Sequence, residues 1–156
     1  MQKISPFLWF DTQAEEAARF YVSVFKNSKI TKVVRYSAAG PGPEGSVMTV
    51  GFELDGQTFT ALNGGPVFTF NESISLVVTC EDQAEVDAMW DALTDGGRPS
   101  RCGWLKDRFG VSWQIVPTEF VEMASDPDAA KAARVMQAMM GMTKLDLTEL
   151  RRAYAG

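Results

Sequence analysis

The chain contains no histidine. Ser-His-Asp and Cys-His catalysis both need an imidazole base, so both are excluded. Histidine is also the commonest protein ligand for zinc, nickel or iron. Any metal site would have to be assembled from carboxylates, amides and two separated thiols. Those thiols, Cys80 and Cys102, are too few for a disulfide framework. The expectation is therefore a reduced, cytoplasmic protein. Runs of Lys and Arg are missing too, and the net charge is −5. Nucleic-acid phosphates need clustered positive charge, so that class of partner is not expected. No apolar run approaches the roughly 18 residues of a membrane helix. Met1 to Pro6 carries no apolar core of the signal-peptide kind.

What is present is core material. The 156 residues are 46% hydrophobic and 22% charged, enough for a single domain with one core. They also repeat. Ile4 to Ala18 returns seventy residues later as Ile74 to Ala88, with six identities in fifteen ungapped positions. The identities are Ile4/Ile74, Ser5/Ser75, Gln13/Gln83, Ala14/Ala84, Glu15/Glu85 and Ala18/Ala88. Such self-similarity marks two copies of one supersecondary unit, with a functional cleft expected between them.

Each copy reads in the same order. Ile4–Phe10 has strand length, and Thr12 with Glu15 forms a capping box for a helix whose apolar stripe is Ala14, Ala17, Ala18, Tyr21 and Phe25. Lys29–Tyr36, Ser46–Leu54 and Gln57–Leu62 read as strands, the last two joined by an Asp55-Gly56 hairpin. Ala39–Gly45, rich in Gly and Pro, is an exposed loop. In the second copy Ile74–Cys80 is a strand. Asp82 caps a helix with Glu85 at its third position, and Arg101–Lys106 and Val111–Val116 are strands. A tail follows, with one helix capped by Asp126 and lined by Val135, Met136, Met139 and Met140. Another is boxed by Asp146 and Glu149, with Leu145 and Leu150 as a staple. The Met stripe reads as core or dimer packing.

Asn63-Gly64-Gly65-Pro66 follows a strand, but an extended stretch comes after it. Phosphate cradling needs a helix N-terminus there, so the segment reads as a turn between the copies. Cys102 has Arg101 and Lys106 nearby in sequence but no imidazole to activate it, and it reads as a packed or pocket-lining thiol. Asp107-Arg108-Phe109-Gly110-Val111-Ser112-Trp113-Gln114 joins an acidic residue and a turn to a strand that carries a polar residue four places beyond the glycine.

Those residues, with Phe70-Asn71 and Cys102-Gly103-Trp104, resemble the PhnB-like family, which bears the label 3-demethylubiquinone-9 3-methyltransferase. That family lies within the vicinal oxygen chelate superfamily of glyoxalases and bleomycin-resistance proteins. The resemblance implies an α+β fold: two βαβββ modules, residues 4–64 and 74–117, forming a cupped mixed sheet, with a helical tail over 118–156. It also implies a homodimer. The glycine loop and following helix of a methyl-donor site are not seen. The superfamily's metal ligands fall by spacing on Pro6, Thr60, Leu76 and Gln114. This set is not expected to hold a divalent metal, and no cofactor is expected.

Strand alternation then puts Pro6, Leu8 and Phe10 on the cleft face. With them go Thr58, Thr60 and Leu62, then Leu76, Val78 and Cys80, then Ser112, Gln114 and Val116. Phe7, Trp9, Val77, Trp113 and Ile115 are expected beneath the helices. The candidate ligand site is Gln114 as polar anchor, Thr60 facing it, and Leu8, Phe10, Leu76 and Trp104 as apolar wall. Three functions stay open: a metal-independent small-molecule binder, an enzyme on a small metabolite, and a structural dimer. An enzyme would need a carboxylate base such as Glu53 or Asp107, at positions that read as solvent-facing.

Overall fold

A computed structural model describes residues 2–156 and is α+β, with eight strands and five helices among the described residues. The chain divides into two compact units, one running to Phe70 and the other spanning Asn71–Gly156.

In the first unit β1 (Phe7–Phe10) leads into α1 (Ala14–Val24), followed by β2 (Lys29–Arg35), β3 (Val47–Leu54) and β4 (Gln57–Asn63). The sheet order is β1-β4-β3-β2, with β1 parallel to β4 and the remaining pairs antiparallel. Leu54 pairs with Gln57 across Asp55 (φ 47°) and Gly56 (φ 79°). Positive φ at both central residues is what a tight hairpin of right-handed twist requires. Ala14, Ala17 and Ala18 let α1 lie close to the sheet, and Tyr21 is fully buried beside them. Its ring lies 6.3 Å from that of Phe52, which stacks on Phe59 at 5.3 Å. Each large apolar side chain buried in this way contributes about 1.5–3 kcal/mol.

The start of α1 departs from the expected capping box. Gln13 flanks the helix without a side-chain cap, and the Ala14 N–H donates instead to Asn63 Oδ1 at 2.8 Å. Asn63 is registered opposite Phe10, so β4 delivers its amide to the helix start and displaces the local threonine.

The second unit repeats the plan. It runs through β5 (Leu76–Cys80), α2 (Gln83–Thr94), β6 (Arg98–Pro99), β7 (Trp104–Lys106) and β8 (Ser112–Pro117), in sheet order β5-β8-β7-β6. Here the cap is local: Asp82 accepts from the Glu85 N–H at 2.9 Å, and Glu85 accepts from the Glu81 N–H at 3.0 Å. Two-residue β6 carries no alternation, which is why its pattern is silent in the sequence.

The tail holds α3 (Thr118–Ala124), α4 (Ala129–Met140) and α5 (Leu147–Ala155). Helix α3 follows β8 directly and has no side-chain cap at Pro117, so no start signal announces it. Helix α4 begins later than expected. Asp128 caps it by accepting from Ala130 and Lys131, while Asp126 accepts from the Tyr154 hydroxyl and the Asp128 N–H. Asp146 caps α5 as expected. Met123, Val135, Leu145, Leu147 and Leu150 form a core of their own. Of the expected α4 stripe only Val135 is fully buried, whereas Met136 and Met140 are exposed.

Candidate functional site

Registered neighbours in a sheet share a face, so the pairing assigns every candidate side chain. In the first unit Thr60 pairs with Phe7 and Gly51, whereas Leu8 pairs with Ala61, and Ala61 with Val50. The Leu8–Ala61–Val50 face also carries Phe52 and Phe59 and receives Tyr21 of α1. Leu8 and Phe10 are therefore core residues beneath the helix, at 8% and 3% exposure, on the opposite face from Thr60. This corrects the expected parity of β1. The strand is apolar at all four positions, so alternation carries no information, and only the register decides. Phe7 is exposed instead of covered. Trp9 is half-buried. Its indole N–H donates to the Gly65 carbonyl at 3.0 Å and its ring meets Phe68 edge-on at 4.9 Å. Asn63-Gly64-Gly65 is thus a turn folded around Trp9, and a Cβ at Gly64 would collide with that ring.

The second unit shows the same one-residue shift in β5. Gln114 pairs with Val77 and Trp104, while Leu76 pairs with Trp113. Trp113 and Ile115 are buried as expected. Leu76 is on their face, not on that of Gln114, and Val77 is exposed. Gln114 and Trp104 do stand together. Gln114 Nε2 donates to Ser75 Oγ at 2.9 Å, so the anchor amide has a partner within its own unit. Of the expected site, Thr60 belongs to the face of the first unit and Gln114 with Trp104 to that of the second.

The Gln114 face continues through Lys106 and Ser112, which are register partners. They line a cavity of about 150 Å³ together with Glu72, Arg98, Ser100 and Trp104. Lys106 is ion-paired with Glu72. That hydrogen bond, reinforced by Glu72's own backbone and the charges of Lys106 and Arg98, holds the Glu72 carboxyl below the usual carboxylate range. Ser112 is 2% exposed, and no protein group bonds to its hydroxyl. Sequence reasoning had Ser112 on the right face but missed Lys106, which the Trp104-x-Lys106 alternation would have indicated. Glu72 and Arg98 carried no local signal. A larger cavity, about 480 Å³, lies in the first unit among Asp11, Glu15, Tyr36, Gly42 and Asn63. The polar groups of Asn63 are engaged there. Its Nδ2 donates to the Val47 carbonyl, and its backbone carbonyl accepts from the Tyr36 hydroxyl at 2.5 Å.

The carboxylates proposed as bases are committed elsewhere. Asp107, expected to face solvent, is 3% exposed. It accepts from the Phe109 and Val111 N–H groups at 2.9 and 3.1 Å and from the Trp113 indole at 2.8 Å. It is a turn-forming residue. Glu53 lies 3.8 Å from Lys29. Both cysteines are free. Burial, with Glu85 and Asp82 adding to it, pushes the Cys80 thiol up to about 12. Cys102 directs its thiol to the Met140 carbonyl at 3.8 Å. Among the described residues no three His, Cys, Asp or Glu side chains gather at a point that could hold a metal. Pro6 offers no donor, Leu76 is apolar and on the wrong face, and Thr60 and Gln114 are weak neutral ligands. The residues do not fit a divalent metal.

A protein-family model described as 3-demethylubiquinone-9 3-methyltransferase matches residues 2–116. A search of curated proteins finds no match. Among solved structures, the PhnB protein from Bacillus cereus is 40% identical, with 75% of this chain and all of that one aligned, at a TM-score of 0.69. Protein PA1353 from Pseudomonas aeruginosa is 20% identical over 75% of this chain and 98% of its own, at 0.62. The fosfomycin resistance protein FosX from Listeria monocytogenes, solved with Mn(II) and a dihydroxypropylphosphonic acid, is 13% identical over 76% and 94%, at 0.52. The last two share the fold. The chain belongs to the PhnB-like, 3-demethylubiquinone-9 3-methyltransferase family.

Proposed function

We propose that this protein binds a small molecule without a metal, on the sheet face of the second unit. The carrying observation is the arrangement around Gln114. A partnered amide, the Trp104 ring and a cavity whose polar lining includes the buried Ser112 hydroxyl share one face of a sheet whose other face is core. Ligand sites combine apolar walls with a few placed polar groups in this way. Thr60 is the corresponding polar point on the face of the first unit. The enzyme reading is weaker, because Asp107 is engaged three times over and Glu53 is paired. No helix among the described residues is long and apolar enough to cross a membrane. We assign the protein to the cytoplasm, in keeping with its two free thiols.

We also propose a homodimer. β1 and β5 are edge strands of their own sheets, and Ile4, Phe7, Ile74 and Val77, at equivalent places in the two copies, are exposed. Open, apolar strand edges invite pairing with another chain. Light scattering should give about twice 17.2 kDa, and a monomer mass at micromolar concentration would refute the dimer.

The functional test is a thermal-shift screen of small metabolites in the presence of a chelator. Stabilisation is expected without metal and without turnover. Gln114→Leu should keep the fold and lose that stabilisation. Stabilisation that appears only with added metal, or that survives Gln114→Leu, would overturn the assignment.

A further inference from the structure

The cavity beside Gln114 contains its own model ligand. Its cations, Lys106 and Arg98, face a carboxylate supplied by the chain, that of Glu72. The Glu72 side chain is 61% exposed and lies outside any strand or helix, so it can swing into water. The Lys106 side chain is only 23% exposed and stays with the sheet. Ser112, opposite Lys106 on β8, holds a buried hydroxyl that no protein group satisfies. A buried hydroxyl without a partner is uncommon in native proteins and calls for one. Trp104, two residues before Lys106, supplies an apolar wall.

We propose that this cavity is a carboxylate-binding site, kept closed by Glu72 until a small organic carboxylate displaces it. The proposal rests on the ligand-binding reading above and names its ligand class. The incoming carboxylate takes the place of Glu72 on Lys106, its second oxygen accepts from Ser112, and Arg98 closes on it from the rim. Charge-assisted hydrogen bonds of this kind are the strong ones, and a lysine with a hydroxyl suits a carboxylate oxygen pair. The cavity of about 150 Å³ has the volume of about five waters. That admits a carboxylate on a short organic body.

The test is an NMR titration with sodium benzoate, using sodium sulfate at equal ionic strength as the control. The reporter is the Trp104 indole N–H, identified by its loss in Trp104→Phe. Benzoate should move that signal and sulfate should not. Glu72→Gln removes the internal competitor and should tighten benzoate binding by about threefold to tenfold. Lys106→Met should weaken it by about tenfold. Arg98→Gln, at an exposed position that leaves the fold alone, should weaken it by about threefold. An unmoved Trp104 signal in Glu72→Gln, equal movement by sulfate, or weaker binding in Glu72→Gln than in the wild type would overturn the proposal. If benzoate fails while uncharged compounds still give Gln114-dependent stabilisation, only the carboxylate site is lost. If both fail, the binding reading falls with it.

Discussion

The two copies of the repeat share a strand order and differ in what each identical residue does. Gln13 and Gln83 occupy the same place in the repeat, at the starts of their helices. Gln13 makes no side-chain cap. Gln83 clamps the tail, donating to the Leu145 carbonyl at 3.0 Å and accepting from the Leu147 N–H at 2.8 Å. Glu15 pairs with Arg19 on the surface at 2.8 Å, whereas Glu85 folds back to the Glu81 N–H. Strands β2 and β3 have seven and eight residues, and their counterparts β6 and β7 have two and three. The first copy is thus complete in its sheet, and its helix is capped by its own last strand. The second has a short sheet and is buttressed by the tail through Gln83 and through Lys144, which meets Asp87 at 2.8 Å. A duplicated sequence carries topology from copy to copy, while capping and buttressing depend on what each copy packs against.

Core deletions should separate the two units most strongly. Phe52→Ala in the first is expected to cost about 3–5 kcal/mol, and Leu150→Ala in the tail about 2–5 kcal/mol. Urea unfolding measures the loss. Residue-resolved hydrogen exchange should place it in β3 and β4 for the first variant and in α3–α5 for the second. An identical exchange pattern in both variants would erase the distinction.

The caps should differ next. Asn63→Ala strands the Ala14 N–H and the Val47 carbonyl together and should cost about 2 kcal/mol. Asp82→Ala removes a local cap and should cost about 1 kcal/mol. Equal losses in chemical denaturation would mean that the long-range cap is no stronger than the local one.

The paired glutamines sharpen the contrast further. Gln83→Ala should cost about 1–2 kcal/mol, from three hydrogen bonds of which two reach the tail, and raise protease sensitivity in the tail. Gln13→Ala should stay within about 0.5 kcal/mol of the parent. If the two variants melt together, Gln83 does not hold the tail.

The smallest expected effect is on pH dependence. The hydrogen bond from Lys144, then that from Gln83, lowers the Asp87 pKa in the folded protein. Its contribution is present above the ordinary carboxylate range and is lost as pH falls through the depressed folded value. The site is exposed, so solvent screening keeps the effect small. The first copy has Ala17 at this place and no counterpart. Melting curves of Asp87→Asn should therefore be flatter across the acid range than those of the parent. Parallel curves would show that the pair contributes nothing.

The sequence by itself determined the repeat, the strand–helix–strand order, the Asp55-Gly56 hairpin, the Asp82 and Asp146 caps and the missing imidazole chemistry. All of these rest on composition or on neighbours within a few residues, where propensity and turn geometry act. Trp104 and Gln114, expected in one site, prove to be register partners across β7 and β8, which sit close in the chain. Only the tertiary structure decided that Leu8, Phe10 and Leu76 turn away from Thr60 and Gln114. It also decided that Asn63 caps α1, that Asp107 is buried, and that Glu72 closes on Lys106 beside the unsatisfied Ser112. Side chains alternate with period two, so a one-residue change in register moves a whole strand to the opposite face. That register is set by pairing partners distant in sequence, such as Phe7 with Thr60 and Leu76 with Trp113.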